Sequence, residues 1–346
     1  QTTQTVASLS MTTGNSITRS SGTSSLTVSG TSVLGGAITT SGTQTYTGAV
    51  TLGSDITLTT TAASTSGDIT FSSTVEGVSS PSSSYSLTAT TAADAHTIFN
   101  GTVGNTNPLK SLSVSAGLTT LNTNTVKTIG TQTYTGAVTL GADTTLTTGS
   151  SGTIGVTFGG SITGSGKALT IDTGTYSSAT ISLSTVGTSG TPIGDLTLNN
   201  VGTTTLGGAI YAASLTTNAS GTTAINTTTI TTTNSQTYND AVTLGATTTL
   251  TGTSINLAST VESPSTAYGL TVNGSGTTTF GGVVGGNSHP LLSITTDSAG
   301  TTAINTTAIT TTGSQTYNDN VTLGASGTST LTTTGSSGTI GVTFGG

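Results

Sequence analysis

The sequence predicts an all-β chain wound as a right-handed parallel β-helix, a β-solenoid built from repeated coils of roughly 20 residues. Three observations predict it. One phrase is written four times, apolar residues alternate with threonine at a period of two, and the residues that build helices are scarce.

The phrase is SQTYNDAVTLGA at Ser235 and SQTYNDNVTLGA at Ser314, with looser copies GTQTYTGAVTLGSD from Gly42 and GTQTYTGAVTLGAD from Gly130. Its glutamine falls at Gln44, Gln132, Gln236 and Gln315, so the copies are 88, 104 and 79 residues apart. Other phrases travel with it. SGTTAINTTTITTTNSQTY from Ser220 matches AGTTAINTTAITTTGSQTY from Ala299, LTLNNVGTTTLGGAI from Leu196 matches LTVNGSGTTTFGGVV from Leu270, and GSSGTIGVTFGG occurs at Gly149 and Gly335. Residues 41–346 therefore form a repeat array with cassettes starting near 44, 132, 236 and 315, and residues 1–40 read as its weakly repetitive start. Fixed-period self-similarity on this scale is the mark of stacked repeat architectures.

Within the first cassette, Tyr46, Gly48, Val50, Leu52, Ile56 and Leu58 share one parity, while Thr45, Thr47, Thr51 and Thr57 take the other. That alternation is the signature of strands with one buried face. Threonine, valine and isoleucine suit a pleated surface because they branch at Cβ. Strands are expected near 45–52, 55–60, 68–74, 85–90, 96–103, 109–115 and 118–129, closed by turns rich in glycine and asparagine. No segment carries a long apolar stripe at helical spacing.

Tandem β-sandwich repeats are the alternative. A sandwich core of ~100 residues wants bulky inward residues from two sheets. These strands are thin in apolar residues and resemble one another, as stacked coils do. On this reading the 79-residue cassette is about four coils of roughly 20 residues. The structural repeat positions are Gln44, Tyr46, Val50 and Leu52, with Gln132, Tyr134, Val138 and Leu140, Gln236, Tyr238, Val242 and Leu244, and Gln315, Tyr317, Val321 and Leu323 in the later copies, and of these the valines and leucines are expected to fill the interior. Gly245 is expected to turn a corner. Asp240 and Asp319 fall on the buried parity where Gly48 and Gly136 stand, so an Asn-Asp turn is expected to break the alternation there.

Composition narrows the function. The 346 residues include 31% hydrophobic and only 4% charged residues, with no Cys, no Trp and five prolines. Eleven acids outweigh four bases, Arg19, Lys110, Lys127 and Lys167, for a net charge of −7. Nucleic-acid binding needs clustered cations, so no nucleic-acid partner is expected. No apolar run approaches the ~18–20 residues that cross a bilayer as a helix, and no membrane insertion of this segment is expected. With no cysteine there is no disulfide, and backbone pairing must hold the chain. No secretion signal is legible at Gln1.

No cofactor and no catalytic or metal site is expected. His96 and His289 are the only histidines, too few for a ligand set, and are read as solvated turn residues. Asp55 and Asp143 occupy equivalent cassette positions, a whole cassette apart, whereas glycosidase chemistry needs paired carboxylates. GGVVGGNSH, from Gly281 to His289, has the glycines of the calcium nonapeptide but no aspartate. The four cassette tyrosines could stack on sugars, but core or corner packing with the hydroxyl reaching solvent is the plainer expectation. Sequons at Asn100, Asn218, Asn226, Asn273 and Asn305 fit chance in such a chain.

The phrases GAVTLGADTTLT, TTTFGGVVG and SQTYNDAVTLGA give the chain a resemblance, over roughly Ser25 to Gly346. It is similar to the β-strand repeats of filamentous-haemagglutinin-like and autotransporter-like bacterial surface proteins. The resemblance implies export, an extracellular or cell-surface location, and a role in adhesion or an extracellular matrix. The expected function is thus a structural or adhesive fibre segment that spaces, scaffolds or self-assembles. The alternative is a carbohydrate-binding adhesin module for a host or matrix polysaccharide, and a polysaccharide-cleaving β-helix enzyme is a third. Because the chain stops inside a cassette, it is expected either to be a window from a longer chain or to stack head-to-tail on another copy as a filament.

Overall fold

A computed structural model describes residues 2–19, 22–78, 84–149, 152–286, 288–324, 327–336 and 340–346. It is an all-β solenoid of parallel stacked coils, 52% strand, making about 14 turns. The coils are longer than expected, and fewer than the 17 that coils of roughly 20 residues would give. Contacts divide the chain into two compact units, Gln1–Ala179 and Thr180–Gly346.

In the first unit each coil has three sides. One side stacks the strands Ser24–Val28, Gln44–Tyr46, Ile69–Phe71 and the second half of Leu87–Phe99. It continues through Leu112–Leu121 to Val138–Leu140 and Ile162–Thr163. The next side stacks Ser32–Leu34, Val50–Leu52 and Val75–Glu76, with Val103 as a single bridge, then Thr125–Lys127, Thr144–Thr147 and Leu169–Asp172. The third stacks Ile38–Thr40, Ile56–Thr60, Leu87, Leu112, Gln132–Tyr134 and Gly155–Phe158. Every pairing among the described residues is parallel. The strand Leu87–Phe99 was expected as two; it bends over a corner instead, with a register shift between Thr91 and His96 and Asp94 at φ 60°.

Coil length varies because the corners absorb insertions. Leu26 pairs with Gln44, 18 residues on, whereas Ile56 pairs with Leu87, 31 residues on, across a corner that holds a 3₁₀ turn at Ser64–Gly67. Inward residues stack in columns. Tyr46, Phe71 and Phe99 lie ring on ring at 5.4 and 5.2 Å, and Tyr134 stacks on Phe158 at 5.0 Å. Offset stacks of this kind add about 0.5–1.5 kcal/mol each beyond burial.

The second unit repeats the plan. One side runs through Thr203–Leu206, Thr222–Ile225, Ala241–Leu244, Val261 and Val284 to Ile309 and Leu331. The next runs through Ile210, Ile230, Leu250, Leu270, Ile294 and Gln315 to Val342. The last runs through Leu215, Gln236, Ile255, Thr278 and Thr302 to Val321.

The cassette does not coincide with the coil. From Gln44 the chain crosses sides at 50, 56, 69, 75, 87, 97, 103, 112, 119 and 126 before Gln132, eleven steps around a three-sided coil. From Gln236 it crosses at 242, 248, 255, 261, 270, 278, 284, 294, 302 and 309 before Gln315, again eleven. Four whole coils would need twelve. In each unit the second copy of the phrase therefore lies on a different side from the first. The expectation of about four whole coils per cassette, which would return the phrase to one coil face each time, is corrected: the repeating structural unit is the strand-and-corner, not the coil.

Candidate functional site

The residues that the phrase repeats build one constellation, present four times. Gln44, Gln132, Gln236 and Gln315 point inward and are fully buried, as are Tyr46, Tyr134, Tyr238 and Tyr317. Each tyrosine donates its hydroxyl to the Oε1 of the glutamine two residues before it, at 3.0, 3.2, 2.9 and 3.1 Å. Each glutamine Nε2 then donates twice. Gln44 reaches the carbonyls of Ile38 at 3.1 Å and Thr59 at 2.9 Å, and Gln132 those of Val126 at 3.2 Å and Thr147 at 2.9 Å. Gln236 reaches Ile230 at 3.2 Å and Thr251 at 2.8 Å, and Gln315 reaches Ile309 at 3.2 Å and Thr332 at 2.9 Å.

The two carbonyls belong to successive coils of the preceding side. The glutamine thus ties one coil to the next from inside the corner, and the tyrosine satisfies its remaining oxygen. The tyrosine hydroxyl was expected to reach solvent; it turns inward instead and finds its acceptor in the glutamine. Burial pushes all four phenols far above their ordinary range, so they stay protonated donors.

Val50, Leu52, Val138, Leu140, Val242 and Leu244 are buried as expected. Val321 and Leu323 are not: Val321 is half-buried and Leu323 is 68% exposed. Both stack on the coil that holds Thr302 and Ile304, and no described strand follows them on that side.

Asp240 and Asp319 are buried, and no break in alternation carries them outward. Asp240 accepts from the hydroxyls of Thr217 at 2.6 Å and Thr223 at 2.8 Å. Asp319 accepts from Thr296 at 2.8 Å and Thr302 at 2.9 Å. The neighbouring Asn239 and Asn318 donate Nδ2 to the carbonyls of Thr217 and Thr296, each at 2.7 Å. A buried carboxylate without a cation is costly unless hydrogen bonds offset it. Burial raises the Asp240 carboxyl above its ordinary range, opposed by the Thr217 and Thr223 bonds. The first unit has Thr47-Gly48 at this corner, where a Cβ on Gly48 would lie 2.4 Å from the Gly30 carbonyl.

These threonine pairs were missed from sequence, although a signal existed: Thr217 and Thr223 recur as Thr296 and Thr302 at the same 79-residue spacing as the aspartates.

Gly245 does sit at a corner, but its backbone needs no left-handed φ. A Cβ there would lie 2.1 Å from Oδ1 of Asn226 in the preceding coil. Asn122 and Asn305 crowd Gly141 and Gly324 in the same way.

Asp55 and Asp143 do equivalent work. Each carboxylate accepts a backbone N–H of the next coil, Ser86 at 2.8 Å and Ala168 at 3.0 Å. Of the two histidines expected as solvated turn residues, only His96 differs. His96 lies on a strand, half-buried, with Nδ1 3.3 Å from the Thr120 hydroxyl. His289 is in a loop with Nδ1 3.4 Å from Glu262. The glycine-rich stretch before it serves the backbone: a Cβ on Gly285, at φ +68°, would lie 2.1 Å from the Thr310 carbonyl. Asn287, in the same stretch, lies outside the described residues, as do 150–151 and 337–339 of the two GSSGTIGVTFGG phrases.

No family model, curated protein or solved structure matches the chain. Among the described residues, no group of three or more His, Cys, Asp or Glu is gathered as a metal site, and no helix is long and apolar enough to cross a membrane.

Proposed function

We propose that the chain is a structural segment of an exported, extracellular fibre, acting as a spacer or scaffold at a bacterial surface or in its matrix. The observation that carries this reading is where the repeated residues go. The glutamine, tyrosine, valine and leucine of the phrase face the interior in nearly every copy, as do the Thr-Asp corners. What the cassettes preserve is the means of stacking one coil on the next, which is what a chain built for length requires. The resemblance to filamentous-haemagglutinin-like repeats points the same way.

The reading includes no catalytic step. Immunogold labelling of intact, unpermeabilised source cells with antibody against this segment tests it. Labelled fibres at the cell surface or in the surrounding matrix are expected. Label found only after permeabilisation would overturn the extracellular assignment.

A further inference from the structure

In an array whose interior is repeated, an exposed departure from the repeat is a place to look for recognition. One corner of the first unit departs in this way. Three corners of the molecule share a row of three stacked positions: Asn100, Asn122 and Gly141 in the first unit, and Gly207, Asn226 and Gly245, then Gly281, Asn305 and Gly324, in the second. The middle residue is asparagine in all three. Only the first row has a second asparagine, Asn100, where its counterparts have glycine. Only that corner has Asn124, where its counterparts have Thr228 and Thr307.

These two additions flank a groove of about 340 Å³ lined by Asn100, Gly101, Thr102, Asn122, Thr123, Asn124 and Ala142. Asn122 Nδ2 donates to Asn100 Oδ1 at 2.8 Å, and Asn124 Oδ1 accepts from the Thr125 hydroxyl at 3.0 Å. Those bonds use the Oδ1 atoms of Asn100 and Asn124. Among the described residues their Nδ2 groups have no protein acceptor, and both side chains are exposed. Gly101 and Ala142 leave the floor low.

We propose that this groove binds a neutral polysaccharide chain through its hydroxyl groups. Each Nδ2 offers two donors and each Oδ1 keeps a second lone pair, so the two amides can both donate to and accept from sugar hydroxyls, which are themselves donors and acceptors. The lining has no ionised side chain to hold an ion or a charged sugar, and the chain's net charge of −7 repels acidic glycans. The volume lies at the lower end of small-molecule sites and suits a short stretch of sugar chain. With no aromatic platform in the lining, the single groove binds weakly. The inference goes beyond the spacer reading and does not depend on it.

Affinity electrophoresis in native gels detects weak binding of this kind. The full chain is run in gels with and without dextran, galactomannan or xyloglucan. Retardation in at least one polysaccharide gel is expected. The variant N100G/N124T carries the residues found at the two sister corners, so its coils should stack unchanged, which circular dichroism checks. It should lose at least tenfold in affinity and migrate as in the sugar-free gel. Asn124→Thr alone, a change confined to an exposed side chain, should weaken binding in the same direction and covers the case in which the double variant misfolds. Equal retardation of the folded variants, or no retardation of the wild-type chain in any gel, would overturn the proposal.

Discussion

Tyr238 donates its hydroxyl to Oε1 of Gln236 at 2.9 Å, inside a corner with no exposure of either residue. The glutamine is the keystone of this pair, because its Nε2 also holds the carbonyls of Ile230 and Thr251 in two successive coils. Replacing it removes three bonds at once and leaves a buried hydroxyl without a partner. Gln236→Leu is therefore expected to destabilise the second unit by about 2–4 kcal/mol, since each unsatisfied buried polar group costs about 1–3 kcal/mol. Tyr238→Phe removes only the hydroxyl and should cost about 1 kcal/mol. Hydrogen exchange at amides near residues 230 and 251 checks both, as local protection remains interpretable where a repeat array does not unfold in one step. Equal protection in Gln236→Leu and wild type would show that the inter-coil tie contributes nothing.

Gly245 tests a steric claim. Its place above Asn226 leaves 2.1 Å between an added Cβ and Oδ1. Gly245→Ala should destabilise by about 1–3 kcal/mol through overpacking. Pairing it with Asn226→Gly should recover most of the loss, giving a coupling above about 0.5 kcal/mol in a double-mutant cycle. Additive losses would place the strain in the backbone of Gly245 instead.

Asp240 gives the pH dependence a sign. Burial raises its folded-state carboxyl above the ordinary value, despite the bonds from Thr217 and Thr223. A raised pKa means the folded chain holds the proton more tightly than the unfolded one. The contribution to stability is then greatest below the unfolded value of about 3.9 and is lost as pH rises through the folded value. Asp240→Asn abolishes this titration. Melting temperature followed from acid to neutral pH should fall less steeply in the variant than in wild type. A wild-type curve that falls no more steeply than the variant's would contradict the assignment.

Much of this was written locally enough to be read in advance. Period two along Tyr46, Val50, Leu52, Ile56 and Leu58 is a property of single strands, and all five are buried. What joins strands was not legible. The number of sides and the coil length depend on how much chain each corner absorbs, and the corner at 61–68 has no signature of its own. An inward glutamine looks like an outward one until its carbonyl partners, 6 and 15 residues away, are known. The Thr217–Asp240 contact joins residues 23 apart whose types suit solvent equally well. At the proposed groove, Asn100 and Asn124 lie 24 residues apart in sequence and share a corner only because Phe99 pairs with Leu121.

The mismatch of cassette and coil predicts that the sides are interchangeable. Gln236 occupies one side of the second unit and Gln315 another, yet both make the same three bonds. Removing residues 236–314 deletes eleven sides, so the phrase at Gln315 should take the place of the phrase at Gln236, with everything after it rotated by one side. That excision would disrupt a solenoid whose sides are fixed in kind. Here it should leave a folded chain whose second unit is shorter by about 18 Å, eleven-thirds of the strand spacing of about 4.8 Å. Register can be read directly because the chain has no cysteine. Thr216 pairs with Thr237 on the outer face, and Thr316 is the phrase counterpart of Thr237. After excision Thr316 should lie beside Thr216 at the strand spacing, within disulfide reach. T216C and T316C should therefore crosslink under mild oxidation in the shortened chain and not in the full-length one, where the two residues lie on different sides. A folded shortened chain that fails to crosslink would mean that the sides are not interchangeable and that the phrase is bound to its position by contacts outside the Gln-Tyr corner.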